Sequence, residues 1–136
     1  MQRKQDEIIY PSAERIAEYN ILVLSAIRSK KSDKAEILSS RKLSEIVEGC
    51  KVFDGDIYGK ATYLMKSLIQ KHPFASGNRR TAFVAAKDFL LNNKAHFGIT
   101  DDPSYSRVMI GIREGFYTDA EITEWIRNGT IREFGR

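Results

Sequence analysis

The sequence predicts an all-α domain, and three observations carry that prediction. Only three prolines and nine glycines punctuate 136 residues, too few for the frequent turns of a strand-rich fold. The apolar residues recur at intervals of three and four, the spacing that lines one face of a helix. Cap-forming residues stand where those stretches start, as at Thr118 with Glu121, where each end group can satisfy an orphan backbone amide. Six or seven helices and at most one hairpin are expected.

Taken in order, Pro11 and Ser12 open a helix whose Ile16, Val23, Leu24 and Ile27 share a face. The polar, basic run Arg28-Ser29-Lys30-Lys31-Ser32 reads as a solvated turn. Asp33 and Glu36 have the spacing of a capping box; Ile37, Leu38, Leu43, Ile46 and Val47 then continue as one or two short helices to Gly49, a C-terminal stop. Residues 50–57 change character: Val52-Phe53 before Asp54-Gly55 suits a small hairpin, since an Asp-Gly pair accepts positive φ. Helical spacing returns with Ala61, Leu64, Met65, Leu68 and Ile69 and halts at His72-Pro73. A second strong helix starts near Asn78 and runs through Ala82, Ala85, Ala86, Phe89 and Leu90 to Asn92-Asn93; its small residues read as core that lets helices approach closely. Asp102-Pro103 opens a helix carrying Val108, Met109 and Ile112 to Gly115, and Thr118 opens a last one carrying Ile122, Trp125 and Ile126 to Asn128-Gly129. One domain over 1–136 results, with N-terminal helices over 12–49, a hairpin over 50–57, a loop over 72–80 and C-terminal helices over 103–129.

Composition narrows the function. With 42% hydrophobic and 29% charged residues the chain has the make-up of a globular domain. A single cysteine, Cys50, excludes an internal disulfide framework and a cysteine-rich zinc site. No apolar run approaches the ~18 residues of a membrane span, and the first ten residues carry charges where a leader needs apolar ones; a cytoplasmic protein is expected. A net charge of +4 permits a phosphate-bearing partner. Its basic residues are scattered rather than gathered into one tract, so nucleic acid is not the expected partner.

The chemistry concentrates in His72-Pro-Phe-Ala-Ser-Gly-Asn-Arg-Arg80, between the two most apolar helices. Gly77 lets the backbone approach a ligand without a Cβ clash. Asn78 tolerates the left-handed region and can bond a phosphate oxygen. The helix starting there presents free amides and the positive end of its dipole. Arg79 and Arg80 add fixed positive charge at that same end, where the dipole disfavours cations by roughly 0.3–1 kcal/mol; an anion between them would explain the pair. His72 ends the preceding helix within reach of the same place, and an imidazole neutral at cellular pH can take a proton from a hydroxyl. On the residues alone the alternatives stay open: His72 as a surface histidine, Arg79 and Arg80 as solvated side chains, Phe74 as loop packing.

His72-Pro73-Phe74-Ala75-Ser76-Gly77-Asn78-Arg79-Arg80 resembles the signature of the Fic/Doc proteins, H-x-F-x-[D/E]-G-N-x-R. Lys60-Ala61-Thr62-Tyr63-Leu64 before it, and Arg80-Thr81-Ala82 and Phe89-Leu90-Leu91-Asn92-Asn93 after it, are similar to the family's flanking helices, so the resemblance spans roughly residues 43 to 129. It implies an all-α Fic/Doc core with a small hairpin flap. It also implies transfer of part of a nucleotide, most often AMP from ATP, onto a protein hydroxyl. His72 would then be the general base, Gly77, Asn78 and Arg80 the phosphate-binding residues, joined by the fixed charge of Arg79, and Val52, Phe53 and Asp54 the flap that pairs with the target's main chain. A translation factor as target and an antitoxin partner are family-level expectations.

Three positions depart from the family pattern. Arg79 stands where AMP-transferring members have glycine and the Doc toxin has lysine. Phe83 occupies the place of a later arginine that Doc-like members also lack. Both favour Doc-like transfer of the γ-phosphate, with AMP transfer as the alternative. Ser76 replaces the aspartate or glutamate that binds Mg²⁺, and a hydroxyl is a poor ligand for a hard dication; this favours a third reading, a metal-impaired nucleotide-binding module without catalysis. Ser44 to Gly49 fits the degenerate self-inhibitory pattern [S/T]-x-x-x-E-[G/N], against the simpler reading of an amphipathic helix ending in glycine.

Overall fold

The structure, a computed structural model, describes residues 7–27 and 35–135. Among them run six α-helices: α1 (Ala13–Ile27), α2 (Ser40–Val52), α3 (Ile57–Lys71), α4 (Asn78–Asn92), α5 (Tyr105–Arg113) and α6 (Asp119–Asn128). The pair α3 and α4 forms the most extensive helix packing, and α1, α2, α5 and α6 gather around it. The core is built from the expected stripes: Leu64, Met65, Leu68, Ala82, Ala85, Ala86 and Leu90 are buried, joined by Met109, Ile112, Ile122 and Ile126. The all-α expectation holds; the basic run read at 28–32 and the capping residue read at Asp33 lie outside the described residues.

Several helix ends follow their sequence signals. Ser12 Oγ accepts the amide of Arg15 at 3.0 Å. At α6 the capping box forms in full: Thr118 Oγ1 accepts the Glu121 amide at 3.1 Å, and Glu121 Oε1 accepts the Thr118 amide at 2.9 Å. Arg132, bonded to the Glu121 side chain, and that backbone amide together hold its carboxyl down to about 2. Gly129 closes α6 with φ 82°.

Three local readings are corrected. First, residues 50–57 are not a hairpin. Cys50 to Val52 belong to α2, Phe53 is its C-cap, and Asp56 caps α3 by accepting the Gly59 amide at 2.9 Å. The reason is tertiary. Lys60 is buried, 1% exposed, and its Nζ donates to the carbonyls of Cys50, Lys51 and Phe53 at 3.1, 3.0 and 2.8 Å. The open end of α2 is thus satisfied by an ammonium group, and the Asp-Gly pair serves a helix-to-helix turn. Second, Gly49 does not stop α2. It lies within the helix because a Cβ there would stand 1.9 Å from the Tyr63 hydroxyl oxygen; it permits close approach rather than termination. Third, Ile37 and Leu38 precede α2 instead of lying in a helix. Ser39 caps α2 by accepting the Lys42 amide at 3.1 Å, while Ile37 forms an antiparallel bridge with Phe74. At the far end, α5 starts at Tyr105, two residues after Pro103, because Asp102 first closes a local turn by accepting the Ser104 amide at 2.9 Å.

Two predictions arise from the junction of α2 and α3. Lys60→Met keeps much of the volume but strips three charge-assisted hydrogen bonds from buried carbonyls, and should lower stability by about 2–4 kcal/mol, read as the midpoint of denaturant unfolding. Burial pushes the Cys50 thiol up to about 11. At pH 8 a disulfide reagent such as DTNB should therefore react with it slowly in the native protein and rapidly after unfolding; equal rates would contradict the packing described.

Candidate functional site

The loop between α3 and α4 reverses the chain with two left-handed residues. His72, the C-cap of α3, has φ 55° and ψ 59°, and Gly77, the N-cap of α4, has φ 78° and ψ 17°. Left-handed backbone is natural for glycine and costly for histidine, by roughly 1–2 kcal/mol. Asn78, a residue that tolerates the left-handed region, does not use it: Gly77 and His72 take those conformations, and Asn78 opens the helix as expected.

That strain is held by a set of buried amides. Asn78 is buried, and its side chain clamps the loop: Oδ1 accepts the Phe74 amide at 3.1 Å and Nδ2 donates to the Phe74 carbonyl at 2.8 Å. Both ends of its amide are engaged within the loop. From α1, Asn20 Nδ2 donates to the Ser76 carbonyl at 2.8 Å and to Thr81 Oγ1 at 3.1 Å. From the segment before α2, Leu38 donates its amide to the Pro73 carbonyl at 2.8 Å, and the Ala75 amide donates to the Glu36 carbonyl at 2.9 Å. Phe74, 1% exposed, plugs the loop into the core as expected.

The loop forms one wall of a cleft of about 490 Å³. His72, Ser76, Gly77, Asn78, Arg79 and Arg80 line that wall. The facing wall is α5, through Tyr105, Ser106, Met109 and Arg113, and Leu24 and Ile69 add apolar surface. His72, Arg79 and Arg80 are exposed, open to a ligand in the cleft. No side chain caps α4, so Gly77 leaves its first amides uncapped on that side. Arg80 is oriented by a hydrogen bond from Nη1 to the Tyr105 hydroxyl at 2.9 Å. Tyr105 in turn stacks on Phe83, with ring centroids 4.3 Å apart and planes 12° from parallel. Phe83 is buried and packs edge-on against Phe97 at 5.3 Å, so that position serves an aromatic cluster. Among the described residues no aspartate or glutamate lines the cleft, and no group of three or more His, Cys, Asp or Glu is arranged to hold a metal.

Of the residues singled out by sequence, His72, Gly77, Asn78, Arg79 and Arg80 therefore come together around one cavity. Val52, Phe53 and Asp54 do not join them. They form the exposed end of α2 and the turn after it, with the Phe53 ring tilted against Tyr63 at 5.6 Å, and offer no strand edge. Glu48, the glutamate of the self-inhibitory pattern, does not line the cleft and pairs with Lys51 at 3.5 Å. Sequence reading missed Asn20, Thr81, Tyr105 and Arg113. Asn20 carries a usable signal, since it is a polar residue at the i+4 position of the apolar stripe from Ile16 to Leu24, where a buried partner is required. Arg113 carries none, because only tertiary packing turns α5 towards the loop.

Gly77→Ala tests the loop geometry. A Cβ at position 77 would combine left-handed strain with contacts of 3.1 Å to Leu24 and 3.2 Å to Asn20. It should cost about 1–2 kcal/mol of stability, measured by thermal unfolding, whereas a loop free to relax would lose almost none.

The all-α fold agrees with a family-level match of the sequence. No curated protein matches the chain. The sequence model of the Fic/DOC family matches residues 7–90, which covers α1, α2, α3 and α4 as far as Leu90. This is well over half of the 136 residues, and it starts upstream of position 43 and leaves α5 and α6 beyond its end. Members of that family are typically transferases that modify proteins. The loop from His72 to Arg80, its helical frame and this match agree: the chain belongs to the Fic/DOC family.

Proposed function

We propose that the protein is a Doc-like transferase that moves the γ-phosphate of ATP to a hydroxyl group of a protein target. The observation that carries this reading is the meeting of an exposed His72 with Arg79, Arg80 and the uncapped start of α4 in one cleft. The phosphates lie against the α4 amides and the two arginines, where dipole and fixed charge both favour an anion. The target hydroxyl attacks the γ-phosphorus in line. Its proton passes to the His72 imidazole, the new oxygen–phosphorus bond forms, and the bond from phosphorus to the β,γ-bridging oxygen breaks to release ADP. Tyr105 keeps Arg80 directed by its 2.9 Å hydrogen bond, so charge developing on the phosphates meets a donor already in position.

Phosphate transfer is favoured over AMP transfer by Arg79, a long cation where AMP-transferring relatives have glycine, and by Phe83, whose burial in the aromatic cluster leaves the later arginine's place without a charge. The exposed stretch from Glu36 to Leu38, bonded along its main chain to the loop beside His72, takes over the strand-addition role that the resemblance had given to residues 52–54. The Mg²⁺ that the resemblance implies does not suit the donors present, since the cleft is lined by Ser76 and arginines rather than carboxylates, and no step above runs through a metal. That same observation favours a second reading, a nucleotide-binding module without turnover. A translation factor as target and an antitoxin as partner belong to this proposal at the level of the family. No helix among the described residues is long and apolar enough to cross a membrane.

Incubating a host lysate with γ-labelled and α-labelled ATP in parallel, using wild-type and His72→Ala protein, tests the proposal. A protein band labelled from the γ-position alone, and lost at least a hundredfold on His72→Ala, is the expected result. An α-labelled band would turn the assignment to AMP transfer. With ATP binding verified, no His72-dependent band from either label would leave the non-catalytic module.

A further inference from the structure

The charge of the cleft is one-sided, and the imbalance extends beyond the loop. Arg113, on α5 and outside the residues matched by the family, joins Arg79 and Arg80 in lining the cavity, with no carboxylate among the lining residues. Arg79 makes no ion pair with any described residue. Among the described residues Arg113 pairs with its neighbour Glu114, at 3.3 Å on an exposed surface, the kind of pair that contributes little and yields readily to a better anion. Two oxygens that could turn to a cation are already committed: the Ser76 carbonyl accepts Asn20, and Asn78 Oδ1 accepts Phe74. The Tyr105 hydroxyl oxygen accepts Arg80. Asp88 and Asp101 line a separate hollow of about 270 Å³ that also borders Arg80, and Asp88 is engaged by the Tyr19 hydroxyl and by Asn92. A Mg²⁺ carried with a nucleotide takes phosphate and water oxygens and usually one or two protein carboxylates, and this cleft has no carboxylate among its described residues. Here the ion would meet arginines instead, and like charges in a partly desolvated cleft repel.

We propose that this cleft takes its nucleotide as the free polyphosphate anion, with Arg79 and Arg113 supplying from opposite walls the countercharge that a divalent cation supplies elsewhere. The inference rests on the nucleotide reading above and adds a ligand form and a residue, Arg113, to it. The free nucleotide carries more negative charge than its magnesium complex, so a cleft with three arginines discriminates between them in favour of the free form. The guanidinium forks of Arg79 and Arg113 can each grip two phosphate oxygens, while Ser76 and Ser106 leave no carboxylate to compete for them.

Equilibrium dialysis with labelled ATP, in EDTA and in excess Mg²⁺, tests this on the full chain. ATP should bind about tenfold more tightly in EDTA, a difference set by the extra charge of the free anion. Arg113→Gln, an exposed substitution, should weaken binding in EDTA by about tenfold, and Ser76→Asp should reverse the preference. Equal or tighter binding in Mg²⁺ by the wild-type protein overturns the inference while leaving the nucleotide reading in place. An undiminished affinity in Arg113→Gln removes α5 from the site. Absence of binding in both buffers, by protein shown to be folded by circular dichroism, overturns the nucleotide reading itself.

Discussion

The reversal of the chain between α3 and α4 is the constraint on which the rest of this structure depends. These two helices pack most extensively, and the loop joining them must turn within a few residues while keeping His72 and the start of α4 on the same cavity. Left-handed backbone at His72 and Gly77 makes the turn possible. Such strain persists only where the surroundings over-determine it, and here they do. The Asn78 amide is spent on Phe74, Asn20 reaches across from α1 to Ser76 and Thr81, and the segment before α2 adds main-chain bonds to Pro73 and Ala75. Three separate parts of the chain thus converge on one loop, so the candidate residues sit on a rigid mount rather than on a free connection.

A second polar anchor sets the frame beneath it. Lys60 closes the end of α2 with three carbonyl bonds from within the core, an arrangement that fixes how α2 meets α3. Asn93 performs a similar task at the far end of α4, exchanging bonds of 2.8 Å with both the amide and the carbonyl of Ile9. Buried polar groups of this kind contribute modestly when satisfied and cost heavily when orphaned. They therefore specify one arrangement of helices that are otherwise held together by interchangeable apolar packing. The cleft inherits that definition: Ile69 and Met109 extend the core into it, its charged rim is arginine, and its electrostatic character follows from which residues the packing turns inward.

What the sequence by itself determined is local and periodic. The stripes of apolar residues, the box at Thr118 and Glu121 and the halt at His72-Pro73 all act within one or two helical turns, where side-chain spacing and backbone chemistry suffice. The H-x-F-x-x-G-N-x-R pattern is likewise a contiguous segment, so His72, Gly77, Arg79 and Arg80 could be singled out as candidates for one site. What only the tertiary structure decided depends on partners distant along the chain. Val52-Phe53-Asp54-Gly55 has the composition of a hairpin, yet Lys60 makes it a helix end. Gly49 has the composition of a stop, yet the Tyr63 hydroxyl makes it a point of close approach. Asn78 suits a phosphate ligand, yet its amide faces Phe74. Arg113 became part of the cleft because α5 packs across from the loop. Local propensities differ by a kcal/mol or less, and a buried ammonium or a close ring contact exceeds that margin, so such choices pass to the assembled fold.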